Sequence, residues 1–325
     1  MARQARWMRQ GANVTIMQPK STRQTVSKHQ RHTTAQLSNL VAMEDPFSVL
    51  SEVIKIVSTL DSGFDTKTLE KIFRDIVKLF SGQYPGYRKC STRYHDLKHT
   101  TDALLAMARL IHGTHTGGLS MQKWDITLGL ISALMHDVGY IQQYSETQGT
   151  GAQFAQVHVH RGIAFMRSYM KNNGFSVYDY RKCRAAVLCT DLNVPITSIA
   201  FETRSNERLG KMLAAADLIG QTADRCYLEK LRFLYQEFRE AGIKGYHNER
   251  ELLEDSLVFN EHMQDRLAHD LDGVDHYLVD HFKTRWGVDR NLYKDSINNN
   301  LRYLKYFINV DNKHYYRFLN RMEAP

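Results

Sequence analysis

The chain has 325 residues, 42% hydrophobic and 24% charged, with five prolines and four cysteines. That is enough for one large domain or two small ones with a full core, and it excludes collagen, coiled coil and wholesale disorder. The net charge is +8, yet seven Lys and Arg fall between Met1 and Thr34 with no acid among them, so most of the basic excess sits in the first tenth of the chain.

Residues 1–44 are rich in Arg, Gln, Ser and Thr and lack a sustained apolar period, and they read as a basic, disordered arm. The arm has no apolar core of the kind a secretory signal needs, and a transit peptide is the lesser alternative. From residue 45 to 325 the pattern is helical almost without interruption and reads as a single all-α domain of ten or more helices. Phe47, Leu50, Val53, Ile54 and Val57 recur at helical spacing, as do Leu69, Ile72, Phe73, Ile76 and Phe80. The stretches 100–112, 127–138, 160–171, 181–190, 207–240, 254–270, 274–285 and 295–308 follow. The aromatic residues Tyr303, Tyr306, Phe307, Tyr315, Tyr316 and Phe318 read as C-terminal packing.

No run of eighteen apolar residues occurs, so no membrane span is expected. Cys90, Cys183, Cys189 and Cys226 form no CxxC pair, which points to a reducing, cytoplasmic setting and a thiol-independent site. No zinc-finger, basic-zipper or RNA-recognition pattern accompanies the basic arm, so nucleic acid is not an expected partner.

His-Asp occurs three times, at 95–96, 136–137 and 269–270, and context separates the three. His136 and Asp137 end the apolar run Ile131–Met135. Two ionisable groups there need a partner, and a divalent cation supplies one, because imidazole and carboxylate ligate Zn, Fe or Mn. A buried, hydrogen-bonded histidine is the plainer alternative. In Tyr94-His95-Asp96-Leu97-Lys98-His99, the two histidines lie four apart on one helical face. One can ligate a metal while the other stands at substrate distance; a surface pair at a helix start is the alternative. Asp217 sits alone inside the small, apolar run Met212–Gly220, where a carboxylate is either a ligand or half of a buried ion pair.

The order His99, His136-Asp137, Asp217 resembles that of the HD-domain metal-dependent phosphohydrolases, and most of all the catalytic domain of the class I 3′,5′-cyclic nucleotide phosphodiesterases. Tyr94-His95-Asp96-x-x-His99 is similar to that family's Tyr-His-Asn-x-x-His. Val157–Phe165 resembles its His-His helix, with His160 kept, and Ala186–Asp191 its Ala-Thr-Asp segment. Ala216-Asp217-Leu218 and Tyr235–Gly242 follow its later spacing. The family's purine-binding Gln has no counterpart where the best register places it, at Leu271–Val274, and its His-Pro-Gly is replaced by Tyr140-Ile141-Gln142.

The resemblance implies a compact HD-type helical bundle and a metal-dependent phosphoester hydrolase, with a cyclic nucleotide phosphodiesterase as the first reading. An HD-type nucleotidase, or a degenerate module that binds a nucleotide without turnover, are the alternatives. It further implies two divalent ions, a tight one (Zn, Fe or Mn) on His99, His136, Asp137 and Asp217, and a second (Mg or Mn) bridged by Asp137. His95 is the implied general acid, with Tyr94, Asp96, His160 and Asp191 as supporting or substrate-facing positions. The expected partner is a small phosphoester or nucleotide, with the oligomeric state open.

Overall fold

A computed structural model describes residues 35–310 and 315–322. Among them are eleven α-helices and no strand: α1 Pro46–Leu60, α2 Lys67–Ser81, α3 Leu97–Thr116, α4 Lys123–Met135, α5 His158–Asn172, α6 Val177–Leu188, α7 Arg204–Thr222, α8 Tyr227–Glu240, α9 Glu249–His269, α10 Tyr277–Trp286 and α11 Leu292–Val310. The expected all-α class is therefore what the chain forms. No helix of the described residues is long and apolar enough to cross a membrane. All four cysteines are free.

Local chemistry sets several helix starts. Asp45 accepts the amides of Phe47 and Ser48 ahead of Pro46, which has no amide to satisfy. Ser176 and Asp179 form a reciprocal capping box at α6. Asn248 caps α9 through the Glu251 amide.

The bundle is built around α3, buried continuously from His99 to Thr114. Helices α1, α4, α7 and α10 pack around it. Small residues allow the closest approaches. A Cβ on Gly113 would lie 1.8 Å from the Tyr277 carbonyl oxygen of α10, and one on Gly220 would lie 3.3 Å from the Ala103 amide. Burying this central helix on every side places its N-terminal residues at the meeting point of α4 and α7.

Two expectations need correction. The segment 207–240 is two helices, because Asp224 interrupts it. Its Oδ1 accepts the Cys226 amide at 2.9 Å and its carboxylate pairs with Lys230 at 2.8 Å. Asn300 of α11 then donates to the freed carbonyls of Thr222 and Asp224. The arm expected to end at residue 44 is shorter, since Leu37 is buried in the core and Arg290 donates to the Ala35 carbonyl; residues 1–34 lie outside those described. Leu271 and Val274, where the substrate clamp was sought, are buried core residues. Of the C-terminal aromatics, Phe307 joins Tyr94, Tyr227 and Leu304 in a second apolar cluster and Tyr303, Tyr315 and Phe318 pack against it, while Tyr306 and Tyr316 are exposed.

Candidate metal centre

The four groups at the centre come from the ends or the interior of three helices. His99 lies on the first turn of α3, whose N-cap is Asp96; the Asp96 Oδ1 accepts the His99 amide at 2.9 Å. His136 ends α4 and Asp137 starts the turn that follows. Asp217 projects from the middle of α7.

The ligand atoms converge. The His99 Nε2 lies 3.0 Å from the Asp137 Oδ2, 3.1 Å from the Asp217 Oδ1 and 3.3 Å from the His136 Nε2. The His136 Nε2 is 3.2 Å from Asp137 Oδ2 and 3.6 Å from Asp217 Oδ1. Despite these short separations the Asp137 Oδ2 makes no hydrogen bond of acceptable geometry. The two imidazole Nε2 atoms are within hydrogen-bond reach of each other, while the Asp137 Oδ2 is an orphaned acceptor among them. Around an ion with bonds of about 2.1 Å, neighbouring ligand atoms sit about 3.0 Å apart in an octahedron and about 3.4 Å apart in a tetrahedron. His99, His136 and Asp137 form a group able to hold a metal ion, and the separations place Asp217 beside them. The residues fit a divalent transition ion.

Supporting contacts orient the rings. The His136 Nδ1 donates to the Ala133 carbonyl at 2.8 Å, leaving its Nε2 lone pair toward the cluster. In the metal-free chain, burial opposes charge on the imidazoles, but Asp137 and Asp217 overcome it. His99 is pushed up to about 9 and His136 well above its ordinary value. Burial likewise opposes charge on the two carboxylates, and the imidazoles hold both below the usual range. Protons here supply the positive charge that an ion would bring.

Beside the cluster stands His95, its ring 5.7 Å from that of His99. Its Nδ1 is 2.7 Å from the Glu237 Oε2 of α8. The other oxygen of Glu237 accepts the amides of Tyr94, at 2.7 Å, and Arg93, at 2.9 Å. One carboxylate thus fixes both the ring and the loop that carries it. Burial opposes its charge, and His95 with the two amides holds it below the usual range. Tyr140 stacks against both His95 and His158, at 4.3 and 4.4 Å between ring centres.

His158 Nδ1 bonds the Ala155 carbonyl, and its Nε2 lies 3.6 Å from the Asp137 Oδ1. The expected supporting histidine, His160, is exposed two residues further along α5; His158 holds the place instead. Gly139 lies in the turn just after the cluster residues His136 and Asp137. A Cβ there would sit 1.8 Å from the His158 carbonyl oxygen, so the missing side chain lets α5 close on the centre.

Tyr94 and Asp191 line the pocket next to the cluster, a cavity of about 210 Å³ bounded by α7, α8 and α9. The Tyr94 hydroxyl donates to the Gln221 Oε1 at 2.6 Å, and Gln221 reaches back to the Asp217 carbonyl. Asp191 accepts from Asn193. Asp96 lines no part of this pocket and acts as the helix cap, while Glu237 does the orienting. Glu237, His158 and Tyr140 were not singled out as site residues from the sequence. The available signal was a carboxylate set among the apolar residues Leu231, Leu234 and Phe238.

A family model described as Npun_R2479-like matches residues 145–272, less than half of the chain, including Asp217 and Glu237 but none of the other cluster residues. No curated protein matches the chain.

Proposed function

We propose that this chain is a metal-dependent phosphoester hydrolase, with 3′,5′-cyclic phosphodiesters as the first substrates to test. The observation that supports the reading is the pairing of a group able to hold an ion, His99, His136 and Asp137 with Asp217 beside them, with a separate, carboxylate-anchored imidazole whose ring centre lies 5.7 Å from that of His99.

A divalent ion held by His99, His136, Asp137 and Asp217 would supply Lewis acidity toward a phosphoryl oxygen and lower the pKa of water from 15.7 toward about 7. The rest is assigned to the chain's own groups. With its Nδ1 proton given to Glu237, His95 carries its transferable proton on Nε2, and in the imidazolium form it donates that proton to the leaving oxygen. Glu237 fixes the tautomer and the orientation of the ring. Tyr140 limits ring rotation by stacking on it. Asp137 faces both ways, with Oδ2 in the cluster and Oδ1 toward His158, and would be the group of this chain to help hold a second ion.

The test is hydrolysis by protein of measured metal content with Mn, Mg or Zn. The panel holds cyclic AMP, cyclic GMP, bis-p-nitrophenyl phosphate and 5′-nucleotides, and Asp137→Ala is run alongside. Turnover that Asp137→Ala abolishes is expected, and monoester turnover alone would select the nucleotidase branch. Absence of turnover on every ester by metal-loaded protein would refute the proposal.

A further inference from the structure

The end of the pocket away from the metal cluster is formed by aromatic rings and one acid. Tyr227 and Phe238 of α8, Tyr246 of the connecting loop and Phe259 of α9 line it together with Asp255. Phe238 and Tyr246 stack at 6.4 Å. Asp255 is partly buried and takes one hydrogen bond, from the Tyr246 hydroxyl at 2.7 Å. No ion pair reaches it among the described residues. Basic groups also line the pocket: Lys244 is exposed, Arg266 donates to the Cys189 carbonyl and lies 3.8 Å from Asp270, and His262 of α9 favours the charged form of Asp255. A partly buried carboxylate facing a largely apolar cavity, with no ion pair of its own, is costly unless a ligand completes it. Burial raises its pKa, and the Tyr246 hydrogen bond and His262 only partly offset that.

We infer that this subsite binds the amino or ammonium group of the substrate's organic moiety, with Asp255 as the specificity-determining acceptor and the surrounding rings as its walls. The inference rests on the phosphoesterase reading for what fills the metal end. The far end has its own logic. Aromatic faces attract a cation or stack on an aminated base, and the carboxylate accepts the N–H. Of the polar groups nearby, the Ser256 hydroxyl donates to the Leu253 carbonyl and Gln221 accepts from Tyr94. Asp191 also lines the pocket and takes its hydrogen bonds from Asn193, whereas Asp255 is the acceptor set among the aromatic rings.

Two pairs of compounds that differ only in the nitrogen group test this: O-phosphoethanolamine against ethyl phosphate, and cyclic AMP against the cyclic phosphate of unsubstituted purine riboside. Each is titrated calorimetrically into metal-loaded wild type and Asp255→Asn, and turnover is measured in parallel. The expected result is tighter binding of the amino member of at least one pair, by about tenfold or more for a hydrogen bond to a charged group. Asp255→Asn removes that preference and leaves the nitrogen-free member unchanged. A preference in the first pair identifies an amino-alcohol ester, and one in the second an aminated base. Equal binding within both pairs, or a preference that survives Asp255→Asn, overturns the inference. Because binding is read directly, loss of turnover on every ester would fault the hydrolase proposal without deciding this one.

Discussion

Replacing His281 with Leu should flatten the acid limb of the stability curve. His281 on α10 is fully buried, and neither ring nitrogen has a hydrogen-bond partner. Its ring meets that of His112 edge-on at 4.8 Å, across the crossing of α10 with α3. Burial, then the nearby Arg109 and His112, press its pKa down to about 2; burial and Arg285 press that of His112 down to about 4. Unfolded histidine titrates at 6.5. Above that pH both rings are neutral in either state, and their contribution is complete. Below it, the unfolded chain takes up protons that the folded chain refuses, so stability is lost as pH falls. Between pH 6.5 and 4.5 linkage gives a loss of about 2.3 kcal/mol for His281 and about 2 kcal/mol for His112. Urea unfolding of wild type and His281→Leu at pH 7.5, 6.5, 5.5 and 4.5 measures this. Other titrating groups, those of the metal cluster included, cancel in the difference. The wild-type advantage should shrink by about 2.3 kcal/mol across the two units. Parallel curves would show that the buried ring is protonated in the folded chain, and the reasoning would fail.

Two further substitutions separate the parts of the centre. Gly139→Ala places a methyl 1.8 Å from the His158 carbonyl oxygen and 2.7 Å from the Gly162 amide; overpacking against backbone should cost about 1–3 kcal/mol and displace His158. A lower midpoint in thermal unfolding together with weaker metal retention is expected, and unchanged values of both would contradict the packing argument. Glu237→Gln keeps the shape of the side chain but removes the charge 2.7 Å from His95 Nδ1. Activity should fall by about 10²–10⁴-fold with metal content unchanged, and loss of the metal instead would mean that Glu237 belongs to the cluster.

The parts of the centre legible in the sequence share one property: each is a polar residue that breaks an apolar helical run. Asp217 among Ala and Leu, and His136-Asp137 after Ile131–Met135, stand out because burial of an ionisable group demands a partner. The helices themselves were readable for the same reason, from the periodicity of what they bury. Where the reading failed, the deciding contact was tertiary. His158 and His160 are two residues apart near the start of one helix, so at about 100° per residue they face opposite ways, and only the closure of α5 over Gly139 selects the first. The break at Asp224 depends on Lys230 and on Asn300, 76 residues away.

The imidazole proposed as general acid is the sharpest instance. His95 lies in irregular chain before α3, where no period constrains it, and the acid beside it in sequence was the natural choice of partner. Asp96 is spent on the His99 amide, because an aspartate at an N-cap meets a backbone donor before it meets a neighbouring ring. The partner is Glu237, 142 residues on, and it also receives the amides of Arg93 and Tyr94. The loop therefore has its shape only once α8 is docked. A histidine positioned in this way is tied to the folding of α8 as firmly as to its own helix, so substitutions in the α8 packing face should disturb the acid before they disturb the metal ligands.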